Sequence, residues 1–107
     1  MLITTGNELP GYEITQMLGE AFGLTVRSRN IGSQLGAGLK SLVGGELRGM
    51  TTMLADGRNQ AIARLTEEAQ SMGGNAIIAM RFDTSEFAGT GTEICAYGTA
   101  VVVTPAA

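Results

Sequence analysis

Few residues in this chain could do chemistry. It has no histidine, one cysteine (Cys95) and one lysine (Lys40). A zinc site of the ordinary kind needs several thiolates or imidazoles, so one copy cannot close a Cys₂His₂ or Cys₄ shell. The candidate ligands for a divalent or heavy-metal ion are Cys95 with the carboxylates Asp83, Glu86 and Glu93. A lone thiolate per subunit completes a tetrahedral site only where symmetry brings copies together. The ordinary alternative for Cys95 is a small, partly buried strand residue, since free cysteine packs like an apolar side chain. Met17, Met53, Met72 and Met80 sit at packing positions with no paired spacing, so they fill space rather than bind soft metals.

Nucleophilic catalysis fares no better. Without histidine, a serine or cysteine nucleophile would need Lys40 as its base, and the adjacent Ser41 points to a different face of a helix. Gly44-Gly45 ahead of the long helix, with Arg48 nearby, has the flavour of a phosphate cradle, but the P-loop pattern is missing and no strand precedes it. A helix–helix corner accounts for it, and the expectation is a protein that is not an enzyme. Two charges in apolar stripes remain: Arg58 on the inner face of the long helix and Glu20 on the apolar face of a long strand. Each could snorkel to water. If both are buried they should form an ion pair, because an unpaired buried charge is costly.

The elements that would position these groups are legible in the periodicity. Leu54, Arg58, Ala61, Leu65, Ala69 and Met72 advance in steps of three and four, which predicts a long helix starting between Glu46 and Thr52. Gly73-Gly74 stops it, because glycine enters the left-handed C-terminal cap without a Cβ clash. Leu2 to Thr4 reads as an edge strand, and Pro10-Gly11 as a turn. Tyr12 to Arg27 reads as a long strand whose larger residues fall on even positions, with Gly19 and Gly23 expected at bends or bulges. A weak helical stripe, Leu35, Leu39, Leu42 and Val43, suggests a short helix before Gly44-Gly45. Strands from about Asn75 to Glu86 and Thr92 to Thr104, joined across Phe87 to Gly91, form a hairpin.

The expectation is therefore a single α+β domain spanning 1–107, in the order β-β-α-α-β-β. Its helices, one long and one short, would lie on one face of a largely antiparallel sheet. The last strand is apolar on both sides: Ile94, Ala96, Ala100 and Val102 on one, Cys95, Tyr97, Val101 and Val103 on the other. One side can lie under the long helix. The other asks for a second cover, which argues for self-association.

Bulk composition excludes several classes. The net charge is −3 with no basic cluster, so nucleic acid is not the expected partner. No apolar run approaches the roughly 20 residues that span a bilayer, and no signal-peptide pattern opens the chain. One cysteine permits no intrachain disulfide, and a cytoplasmic location is expected. Aromatics are 5% and glycines number 16, so the core must be thin and aliphatic.

Along nearly its whole length the chain resembles the YbjQ-like family of small proteins of unknown function, which carries a heavy-metal-binding label. The resemblance rests on Gly19 and Gly23, on Gly38-Leu-Lys-Ser-Leu-Val-Gly44-Gly45, and on Arg58 followed by Ala61, Leu65 and Ala69. Its most specific part is Met72-Gly73-Gly74-Asn75-Ala-Ile-Ile78 leading to Arg81-Phe-Asp83, then Gly98-Thr-Ala-Val101. Gly74 stands where the family usually has alanine, and Leu18 where some members have cysteine. The resemblance implies a compact subunit that assembles into a ring, typically a homopentamer, and transfers no ligand set residue by residue. Two readings follow: an oligomer binding a metal ion or small ligand at subunit interfaces, or an adaptor module whose partner is another protein.

Overall fold

The computed structural model describes residues 1–28, 48–87 and 91–107. Within them the chain forms β1 (Leu2–Ile3), β2 (Tyr12–Ser28), a 24-residue helix α1 (Arg48–Ser71), β3 (Ala76–Phe87) and β4 (Gly91–Pro105). The order of described elements is β-β-α-β-β, not the expected β-β-α-α-β-β, and the stretch read as a short helix lies outside the described residues. The four strands make one mixed sheet ordered β1-β3-β4-β2. β4 pairs antiparallel with both long neighbours, while β1 adds two residues parallel to the start of β3.

The C-terminus of α1 follows its glycines. Gly73 has φ of 95°, its N–H donates to the Gln70 carbonyl, and the Gly74 N–H reaches back to Ala69. This paired 5→2 and 6→1 closure is a Schellman cap, so the helix ends where the sequence places its stop. Asn75 follows at once. Its side-chain amide donates to the Val103 carbonyl at 2.9 Å and its side-chain oxygen accepts from the Val103 N–H at 2.8 Å. Both contacts clamp the entry of β3 onto β4.

The inner surface of α1 is Gly57, Ala61, Leu65 and Ala69, a stripe of strict fours. Ala61, Leu65 and Ala69 are fully buried against Ala21, Ile77, Ile94, Ala96 and Ala100. Leu54 and Arg58, expected on that stripe, lie to one side of it and are exposed. The small residues of β2 decide the helix position. Gly23 is in regular register opposite Ala96, so it marks no bulge. It marks a close approach: a Cβ there would run into the Ala61 carbonyl and the Leu65 amide.

The bulges occur elsewhere. In β2 the register shifts between Ile14 and Gln16 and between Met17 and Gly19, where Gly19 has φ of 120°. In β3 it shifts between Ile78 and Arg81, and Ala79 there takes a φ of 54°. That left-handed alanine costs energy, and neighbouring contacts hold it. Its N–H donates to Gly6, the Met80 N–H donates to Thr4, and the Arg81 guanidinium donates to the Thr5 carbonyl at 2.7 Å.

Candidate functional site

Because side chains alternate along a strand, the buried positions of β2 and β4 say which way every other residue points. Ala21, Gly23 and Thr25, with Ile94, Ala96 and Ala100, lie under the helix. The residues between them occupy the opposite, open side. There, rows cross the sheet through registered partners: Phe22, Tyr97 and Arg81; then Leu24, Cys95 and Asp83; then Val26, Glu93 and Ser85. Phe22, Leu24, Val26 and Tyr97 are 44, 39, 59 and 38% exposed. Toward β1 the same side is covered. Leu9 and Ile14 pack on Ala76, Ile78, Val101 and Val103 there. Among the described residues, the open side thus has one end closed by its own chain and one end bare.

This geometry sorts the candidate ligands. Asp83 and Cys95 are direct cross-strand partners, a relation that brings Cβ atoms to about 5 Å. Glu93 shares their side two residues along β4, roughly 7 Å from Cys95 by strand rise. Glu86 does not join them, since past the β3 bulge Phe82, Thr84 and Glu86 turn toward the helix, where Thr84 and Glu86 line a cavity with Arg58. Among the described residues no three Cys, Asp or Glu side chains converge closely enough to hold a metal ion.

The Cys95 thiol is also poorly prepared as a ligand. Burial, then the carboxylates Glu93, Asp83 and Glu20, push its pKa up from the ordinary thiol value, because each disfavours a thiolate. Its Sγ makes only a weak 3.9 Å contact with the Ala96 carbonyl. Within one subunit it stays protonated at neutral pH, whereas metal ligation needs the thiolate.

The expected Arg58–Glu20 pair does not form. Glu20 pairs in register with Thr99 on the open side, while α1 lies on the other. The sheet separates them. The Arg58 guanidinium instead sits 4.7 Å from the centre of the Phe82 ring, a cation–π contact. The cause lies in the face assignment of β2: the larger even residues, read as the helix side, point away from it.

The structure adds a polar cluster that sequence spacing did not reveal. Gln60 Oε1 accepts from the buried Thr25 hydroxyl at 2.8 Å and from Arg27 at 2.9 Å, and Arg64 donates to the Leu24 carbonyl. These contacts fix the helix along the outer strand β2. The one available signal was Thr25 among the small inward residues. Of the glycines and asparagine singled out by motif, Gly73, Gly74 and Asn75 form the helix cap and strand clamp described above. Gly44 and Gly45, like Lys40 and Ser41, lie outside the described residues. No helix among the described residues is long and apolar enough to cross a membrane.

Comparison with known proteins agrees with this architecture. A YbjQ family model described as "Putative heavy-metal-binding" matches residues 1–104. A UPF0145 protein of Acidothermus cellulolyticus is 70% identical over 103 residues, covering 96% of this chain and 95% of the relative. One of Streptomyces coelicolor is 63% identical, covering 96% and 97%. An archaeal relative, from Sulfurisphaera tokodaii, is 49% identical, covering 97% and 91%. A crystal structure of a DUF74-family protein of unknown function from Pediococcus pentosaceus superimposes with a TM-score of 0.69 at 18% identity, over 97% of this chain and 98% of that one. The chain belongs to the YbjQ family, whose members are uncharacterised and whose description names metal binding and no catalysis.

Proposed function

From membership of that family and from the bare end of the sheet, we propose a non-catalytic protein that self-associates through its open side and takes a ligand between copies. The observation that carries this reading is the exposed apolar run Phe22, Leu24 and Val26 beside Tyr97. Four large apolar side chains on adjacent strands make a patch of the kind that marks an association surface. Closed assemblies of identical chains are the common way to cover one, and a ring, a homopentamer as the family resemblance implies, is the form proposed.

An ion held by this protein would then sit where copies meet. Asp83 with Cys95, and Glu93 nearby, offer one oxygen–sulfur pair per chain, too few for a tetrahedral shell but enough when two or more chains contribute.

The second reading is an adaptor that binds another protein on this side and no metal. The protonated Cys95 and the lack of a three-ligand cluster among the described residues favour it. Equilibrium dialysis against zinc, copper, nickel and cadmium, with native mass spectrometry of the same sample, separates the two. An ion count tied to the number of chains, and lost in Asp83→Asn/Cys95→Ser, supports the first. An assembly that takes up no ion at micromolar concentration supports the second.

A further inference from the structure

On the helix side, away from the open face, a cavity of about 520 Å³ lies between the N-terminal half of α1 and the far ends of β3 and β4. Its size is that of small-molecule sites, which combine an apolar lining with a few placed polar groups. Ile94 and Leu54 supply apolar surface, Thr84 and Thr92 line it from two strands, and Arg58 is the cation among the described lining residues. Its guanidinium carbon lies 4.7 Å from the centre of the Phe82 ring, a cation–π contact that holds the group at the cavity wall. A guanidinium carries its N–H donors in a planar fork that matches a carboxylate. Glu86 also lines the cavity, and the one cation among the described lining residues, Arg58, matches a ligand with one carboxylate and an apolar remainder.

We propose that this cavity binds a small organic monoanion: one carboxylate on Arg58, hydrogen-bonded by the threonine hydroxyls, with a short apolar body against Ile94 and Leu54. The proposal is independent of self-association because it uses the opposite side of the sheet. It also accounts for an arginine on this flank with Phe82 beneath it, which the ion-pair reading left unexplained.

The test is ligand-observed saturation-transfer NMR on the full chain with three probes: 4-methylpentanoate, its uncharged isostere 4-methylpentanamide, and the dianion glutarate. The carboxylate should bind at millimolar concentration. The amide should bind about 10- to 100-fold more weakly, the loss expected for a charged hydrogen bond, and glutarate more weakly than the monoanion. Arg58→Met should abolish the difference between carboxylate and amide. Equal binding of carboxylate and amide by the unmodified protein, or binding of none of the three, overturns the proposal. So does a carboxylate preference that survives in Arg58→Met. The probe comparison on the unmodified protein decides even where the variant does not fold.

Discussion

The two sides of this sheet solve the problem of an apolar surface in opposite ways. Under α1, β2 presents Ala21, Gly23 and Thr25, and β4 presents Ala96 and Ala100. These residues are small, and smallness lets the helix backbone settle onto the strands. On the open side the same two strands present Phe22, Leu24, Val26 and Tyr97. They are large, and at that end nothing in the chain's described residues covers them. Apolar character is common to both sides. Side-chain size separates them, because a closely seated helix leaves no room for a large residue beneath it. On the function proposed above, the large apolar residues left outside are covered by another copy of the chain.

The contrast can be broken first at its tightest point. Gly23→Val would put a branched side chain into the Ala61 and Leu65 backbone, and backbone cannot move aside as a side chain can. Urea titration should show a loss of about 3 kcal/mol or more, or no folded protein. A loss below about 1 kcal/mol would mean that the helix is not seated on this glycine.

A smaller effect is expected where the sheet is clamped. Asn75→Ala removes both side-chain contacts with Val103 and should cost about 2 kcal/mol, at roughly 1 kcal/mol per hydrogen bond. Thermal melting checks it, and an unchanged Tm would show the clamp to be idle.

Arg58 should matter least for stability. Its guanidinium rests on Phe82 with the residue exposed, so Arg58→Ala should cost about 0.5–1 kcal/mol. A buried pair with Glu20 would instead have cost about 3–5 kcal/mol. A loss of that size would mean that Arg58 is buried against a charged partner and does not merely rest on Phe82.

Cys95 gives a pH test of the open side. Burial and three carboxylates raise its pKa above the ordinary thiol value in the folded chain. The unfolded chain therefore loses this proton first as pH rises, and stability should be level below the ordinary thiol pKa of about 8.5 and fall above it. Cys95→Ser should flatten that alkaline decline. Alkylation by iodoacetamide at neutral pH should be slow in the folded protein, and a rate equal to that of the unfolded chain would place the thiol in open water.

How much of this was readable beforehand depended on the kind of signal. Gly73-Gly74, the hairpin strands and the span of α1 announce themselves through local rules that hold whatever packs against them. Gly19 was read as a bulge and is one. Gly23 was read the same way and is instead a seat for the helix, a distinction set by a contact some forty residues away. The face of β2 was misread for a related reason. Alternation shows that two sides differ but not which one meets the helix, and the larger residues looked like the inward set. Two bulges ahead of Glu20 add to the difficulty, since each shifts the phase of the alternation. Ala79 gave no warning at all: alanine carries no preference for positive φ, and only the contacts from Thr4 to Gly6 hold it there.

The central claim is that the open side exists to be covered by further copies of the chain. Sedimentation equilibrium of the unmodified protein and of Leu24→Glu, both at micromolar concentration, tests it most directly. Leu24 lies between Phe22 and Val26 on the bare end, so the change should leave the fold within about 0.5 kcal/mol of its original stability while placing a charge in the middle of the contact. The account predicts a defined multiple of 11.1 kDa for the unmodified chain and dissociation in the variant. A monomer in the unmodified protein, or an assembly untouched by Leu24→Glu, would contradict it.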